Sequence, residues 1–327
     1  MSGSGDGATL WYRVSGPVTT IDAPLDTAEA SRVEAPRLEI STAREATVGA
    51  IRVRRSLPRR ERRMVGAWCF ADHIGPVSVT EASGLDIGPH PHTGLHTVTW
   101  LLEGEALHRD SLGSEQVIRQ GQLNLMTAGH GVAHSEEATG AYRGQLHGVQ
   151  LWVAQPDATR HGPPAFEHHA ELPRVELGRS EATILVGTFH GLTSPARADT
   201  PLLGVDAVLR AGATDWPLEP DFEHALLVLE GDRVDVEGQA VEAGQLAYLG
   251  QGRRSLSLRT GRQARLLLLG GEPFAEPIVM WWNFVARTRA EVELASREWN
   301  AREPRFGVVS SPLARIPAPA VPQGLRG

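Results

Sequence analysis

His90 and His92 stand two residues apart in Gly88-Pro-His-Pro-His-Thr-Gly94, and His134 and Glu136 stand two apart in Gly129-His-Gly-Val-Ala-His-Ser-Glu136. In an extended strand, residues i and i+2 point to the same face. Each pair therefore presents its side chains together, and two such strands laid opposite each other bring four ligands to one place. Three neutral imidazoles and a carboxylate suit one divalent transition metal, and a six-coordinate ion held this way keeps positions open for water, dioxygen or substrate. Glu137 alternates to the other face. Glu136 is thus the carboxylate expected at the ion, and the residue expected to accept a substrate hydroxyl proton.

The elements that must carry these pairs are short strands. Val98 to Leu102 is a dense apolar run stopped by the turn Glu103-Gly-Glu105; Leu107 to Asp110 returns as a hairpin, and a further turn falls at Gly121. Short strands with turn signals roughly every 8 to 12 residues indicate a β-sandwich or barrel. The second half repeats the first. His96-Thr-Val-Thr-Trp-Leu-Leu-Glu-Gly-Glu105 recurs as His224-Ala-Leu-Leu-Val-Leu-Glu-Gly-Asp232, and the segment from Gly121 recurs at Gly244. The copy has neither the His-x-His nor the His-x-Glu pair, so it is expected to be metal-free. Near the C-terminus, Thr288 and Glu291 form a capping box, and Val292, Ala295 and Trp299 mark one face of a short helix running to about Asn300. The apolar run Glu276 to Val285 is expected to pack between the two barrels.

Composition narrows the function. A chain of 327 residues with 41% hydrophobic and 22% charged residues is a globular protein with room for two domains. A net charge of −7 argues against direct nucleic-acid binding. No apolar run is long enough to span a membrane. The N-terminus has no secretory pattern, and a lone cysteine, Cys69 in Ala67-Trp-Cys-Phe70, reads as a core residue of a cytoplasmic protein. All the basic residues are Arg, and seven of the twelve from Arg52 to Arg63 are Arg. Arg54, Arg55, Arg59, Arg60, Arg62 and Arg63 are the candidate docking surface for an acidic partner, set against the plain alternative of a solvated strand and loop.

The segments His90 to Gly104, His108-Arg-Asp-Ser111 and Met126 to Glu136 resemble the pirin family of the cupin superfamily, and the likeness extends from about Arg37 to about Gly307. It implies an all-β fold of two cupin (jelly-roll) β-barrels in tandem with a short C-terminal helix. It also implies one metal in the N-terminal barrel, held at the positions of His90, His92, His134 and Glu136. Iron is the metal common in the family; Mn, Ni, Co, Cu or Zn would satisfy the same donors. The chain departs from the family pattern at His96, where many pirins have Glu, and at His130, where many have Arg. His96, His130 and Asp110 are the candidates to orient the ligand rings. The expected organisation is an extension over 1–36, a metal-binding cupin over 37–160, a linker over 161–180, a metal-free cupin over 181–275, an inter-barrel segment and helix over 276–310, and a tail over 311–327. Several pirins open the flavonol quercetin as 2,3-dioxygenases. The resemblance therefore implies an oxygenase acting on a phenolic or enolic small molecule, and a monomer is expected. The alternative it implies is a metal- and redox-responsive regulator that binds a transcription factor or a metabolic enzyme.

Overall fold

The computed structural model describes residues 18–20, 38–80 and 84–325. Two antiparallel barrels follow one another, as expected from the repeat, and each sets a large sheet against a four-stranded one. In the first, a seven-stranded sheet runs in the order Ala165–His169, Leu123–Thr127, Leu95–Glu103, Gly144–Ala154, Trp68–Val79, Ile51–Leu57, Arg44–Val48. It faces Ile87–His92, Val132–Glu137, Glu105–Asp110 and Glu115–Arg119. In the second, the four-stranded sheet is Gly212–Pro217, Ser255–Thr260, Arg233–Val236 and Gln239–Glu242. Among the described residues no helix is long and apolar enough to cross a membrane.

The two large sheets pack back to back. Trp68, Val98, Trp100, Leu125 and Leu151 of one meet Leu185, Ala225, Leu227, Leu267 and Leu269 of the other in one buried cluster. The Trp68 indole crosses the interface and donates to the Leu203 and Gly270 carbonyls, at 3.0 and 3.1 Å. This double burial is why 225–229 is a continuous apolar run and 98–102 is interrupted only by Thr99. Val98, Trp100 and Leu102 face the partner sheet, while Thr97, Thr99 and Leu101 point the other way, toward the first barrel's own interior. Cys69 is fully buried, and burial pushes its thiol up to about 12, so it is inert core.

Four segments sit elsewhere than their sequence suggests. Glu39–Thr42, expected in the first barrel, pairs with Gln245–Gly250 and so extends the second barrel's sheet. Val18–Thr20 also pairs with that sheet, along Arg174–Leu177; the rest of the expected extension lies outside the described residues. Ala165–His169, expected in a linker, is an edge strand of the first barrel. The aromatic run does not lie between the barrels. It folds as a hairpin, Val279–Trp281 with Phe284–Ala286, against the first barrel's mouth, where Val285 N donates to Thr93 O at 3.0 Å. The helix forms as expected over Arg289–Asn300, with the Thr288 side chain accepting from Glu291 N and with Val292, Ala295 and Trp299 buried.

The two barrels share a frame and differ inside. Gly212–Pro217 holds the edge position in its four-stranded sheet that Ile87–His92 holds in the first, and Ser255–Thr260 answers to Val132–Glu137. Where the first barrel has imidazoles on these strands, the second has Trp216, Leu256 and Leu258, all part of its apolar core. His224 is buried in the second barrel with neither ring nitrogen bonded among the described residues. Burial lowers its pKa from 6.5 to about 4. The unfolded chain takes up this proton near pH 6.5 and the folded chain only near 4. Stability from His224 is therefore intact above pH 6.5 and lost as pH falls from there toward 4, by at most about 1.4 kcal/mol per pH unit. His224→Leu should flatten that acid-side fall in thermal stability without loss at neutral pH. An unchanged pH slope of Tm would contradict this.

Candidate metal centre

The His90 and His134 strands pair antiparallel with these two residues directly opposite, and His92 lies on the same face as His90. All three rings are buried, and one nitrogen from each lies within 4.8 Å of the others. Ring centroids are 4.3 Å apart for His90 and His134, 4.9 Å for His92 and His134, and 5.1 Å for His90 and His92. His92 Nε2 and His134 Nε2 approach to 3.1 Å.

The partners behind the rings set their tautomers. His90 Nδ1 lies 2.9 Å from Gly88 O, and His92 Nδ1 lies 3.2 Å from Asn283 O. A carbonyl only accepts, so both Nδ1 atoms carry the proton and both Nε2 atoms carry the lone pair. His134 Nδ1 faces His108 Nδ1 at 3.4 Å, and His108 Nε2 lies 3.1 Å from Asp110 Oδ2. Burial raises the Asp110 carboxyl, but His108 and the Ser114 amide outweigh it and hold the group below its ordinary value. The ionised Asp110 accepts from His108 Nε2, which leaves His108 Nδ1 to accept from His134 Nδ1. All three Nε2 lone pairs then converge. That arrangement is repulsive until a cation sits among them, and the donors fit a divalent transition metal. Burial also keeps the rings neutral, as ligands must be: His90 is lowered to about 4, and His92 and His134 well below 6.5.

Glu136 stands apart from this trio. A β-bulge shifts the register between His134 and Glu136, so Glu136 pairs with Ile87 and its carboxylate lies outside the 4.8 Å group. It lines the same cavity as His90 and His92, and burial raises it to about 7. Glu137 turns to the opposite face, toward Arg109 at 2.5 Å.

The cavity in front of the imidazoles encloses about 530 Å³, in the range of small-molecule sites. Its walls are aliphatic and aromatic, the aromatic part being Phe70 stacked on Trp152 at 4.1 Å, with Trp281 and Trp282 from the segment of the hairpin. Gln150, braced by Thr99 at 2.8 Å, and Arg44 supply polar groups. A larger cavity of about 770 Å³ opens on the second barrel between Phe189 and Phe222, away from the metal-ligand cluster.

Of the residues expected behind the ligands, Asp110 is there, acting through His108. His96 is not: its Nδ1 meets Thr127 Oγ1 at 2.9 Å and its Nε2 lies 3.1 Å from Asp199. His130 lies against Gly162 O, exposed. Both side chains point along loops and strands away from the ring cluster. In the arginine segment, Arg54 reaches Gly75 O at 3.1 Å and Arg55 forms a two-pronged pair with Asp72 at 2.7 and 2.6 Å. Arg62 bonds Glu39 and stacks on Tyr248. Arg60 and Arg63 are exposed, and Arg59 is half-buried. Sequence reasoning passed over two residues. His108 carried a signal, since it shares a strand face with Asp110 at spacing two. Asn283, 191 positions from His92, carried none.

The profile described as Pirin matches residues 50–153, and that described as Pirin C-terminal cupin domain matches 204–307. A Pseudomonas aeruginosa protein provisionally named quercetin 2,3-dioxygenase is 48% identical over 288 residues, 87% of this chain and 91% of its own. A pirin-like protein of Caulobacter vibrioides is 36% identical over 266 residues, 79% of this chain and 91% of its own. The crystal structure of an Acinetobacter baumannii protein titled quercetin 2,3-dioxygenase superposes with a TM-score of 0.85 at 43% identity, covering 88% of this chain and 97% of that one.

The geometry makes two mutational effects separable. His92→Ala or His134→Ala should abolish metal retention, measured as metal content after dialysis; full occupancy in either would overturn the assignment. Asp110→Asn keeps shape but loses the charge that orients His108, and should weaken metal binding by about 10–100-fold in a competition titration.

Proposed function

The chain belongs to the pirin family, and on that premise we propose that it is a metal-dependent oxygenase that cleaves a flavonol or a related enolic or phenolic substrate, as a quercetin 2,3-dioxygenase does. The observation that carries this reading is the set of three converging imidazoles beside a cavity that His90 and His92 line together with Phe70, Trp152, Trp281 and Trp282. His90, His92 and His134 would hold the ion, and iron is the first metal to test. When bound, such an ion supplies an open coordination position that activates a substrate oxygen and dioxygen toward each other.

The protein's own groups account for the rest. Phe70, Trp152, Trp281 and Trp282 offer flat apolar faces to a fused aromatic ring system. His90, His92 and Glu136 are buried in the wall of this space, which would shield reacting atoms held there from much of the bulk water. Glu136, in the cavity beside His90 and His92, is placed to take the enol or phenol proton as the substrate oxygen binds. A carboxylate raised by burial holds that proton better than an ordinary glutamate does. Its position just outside the imidazole trio leaves it free for this role. Two relatives carrying the quercetin 2,3-dioxygenase name, at 48% and 43% identity over most of the chain, support the same substrate class.

The test is oxygen uptake on adding quercetin to protein reconstituted with Fe(II), Mn(II) or Ni(II), with the His134→Ala variant as blank. Uptake should require both the metal and His134, and Glu136→Gln should slow turnover by about 10²-fold or more. Fully metal-loaded protein that consumes no oxygen would sink the proposal.

A further inference from the structure

The matched family domains end at residue 307, yet the chain beyond them is part of the cavity. Ile87–His92, which carries two of the three imidazoles, is an edge strand, paired on one side only. The segment 308–325 covers its other side. Ile316 N donates to Pro89 O at 2.9 Å, and a Cβ added at Gly88 would run into the Ala314 carbonyl oxygen. The contact therefore requires glycine at 88, the residue whose own carbonyl orients His90.

The segment is anchored on its outer side by the helix. Trp299 Nε1 donates to Ile316 O at 2.8 Å, and Asn300 exchanges two hydrogen bonds with the backbone of Ala318, at 2.9 and 3.0 Å. Arg315 lies over the Trp299 ring, 3.2 Å from its centre, and donates to the Trp299 carbonyl. Val309, Val321 and Leu325 join the apolar cluster of the helix and hairpin. Pro312, Pro317, Pro319 and Pro322 restrict the backbone, so little freedom is lost on docking. Held on both sides, the segment points Ile316 into the cavity that His90, His92 and Glu136 line.

We propose that this segment is a working wall of the metal cavity, and that Ile316 sets the size of the ligand that can reach the imidazole centre. Among the aliphatic groups that line this cavity, Ile316 is the one carried by the added segment, and a branched aliphatic group discriminates by volume and not by hydrogen bonding. The proposal rests on the reading that ligands approach the ion through this cavity, but it needs no turnover to be tested.

The experiment uses full-length protein loaded with Co(II), whose visible spectrum reports ligand binding. Catechol, a small phenol, and quercetin, a large one, are titrated into wild type, Ile316→Ala and Ile316→Trp. Ile316→Trp should weaken quercetin relative to catechol by about tenfold, and Ile316→Ala should move the ratio the opposite way. A ratio unchanged across the three proteins, whether all bind or none does, overturns the proposal. A shifted ratio in a protein that never consumes oxygen keeps the wall and discards the oxygenase; oxygen uptake with an unchanged ratio does the reverse.

Discussion

Three buried imidazole lone pairs aimed at one point are a standing electrostatic cost, and the structure around them is arranged so that they cannot turn away. Gly88 O holds one ring, Asn283 O the second, and the Asp110–His108 pair the third. Each of these comes from a different part of the chain: the start of the ligand strand itself, a hairpin that follows the second barrel, and a neighbouring strand. A cation relieves the repulsion in a site whose geometry is already set, which is the arrangement that lets a protein bind metal tightly while leaving coordination positions unused.

The comparison of the two barrels shows what the site cost the fold. Both use the same sheet order on their smaller faces, but the second fills its interior with Trp216, Leu256 and Leu258. The first gives up that packing for buried polar rings and an open volume of about 530 Å³. Its stability is recovered where the large sheets meet: Trp68, Trp100 and many aliphatic groups are removed from water between them. The second barrel thus serves as the hydrophobic backing against which the first accommodates a cavity.

Much of this was legible in the sequence because strand geometry is local. Spacing of two brought His90 and His92 to one face, the repeated Glu-Gly turn revealed the duplication, and Thr288 with Glu291 marked the helix start correctly. What was not legible depends on long-range contact. The bulge between Ile87 and His90 on the facing strand shifts the register beside Glu136, and no residue type announces it. His96 looked like a second support for the ligands but instead faces Asp199, a residue supplied from more than a hundred positions away. The aromatic run needs cover; its apolar character alone does not say that the cover is the mouth of the first barrel. Likewise a segment rich in proline reads as a tail, and only the indole of Trp299 and the side chain of Asn300 make it a wall.

The crossing of segments between the barrels also bears on when the centre comes into being. His92 waits for a carbonyl made 191 residues later, and the strand Glu39–Thr42 waits for Gln245–Gly250 before it has a neighbour. During synthesis the imidazoles therefore emerge well before the groups that lock their tautomers and close the cavity. The finished centre would then be a late product of folding, and an ion would find its complete site only in the nearly complete protein, not in the nascent strand that first presents the imidazoles.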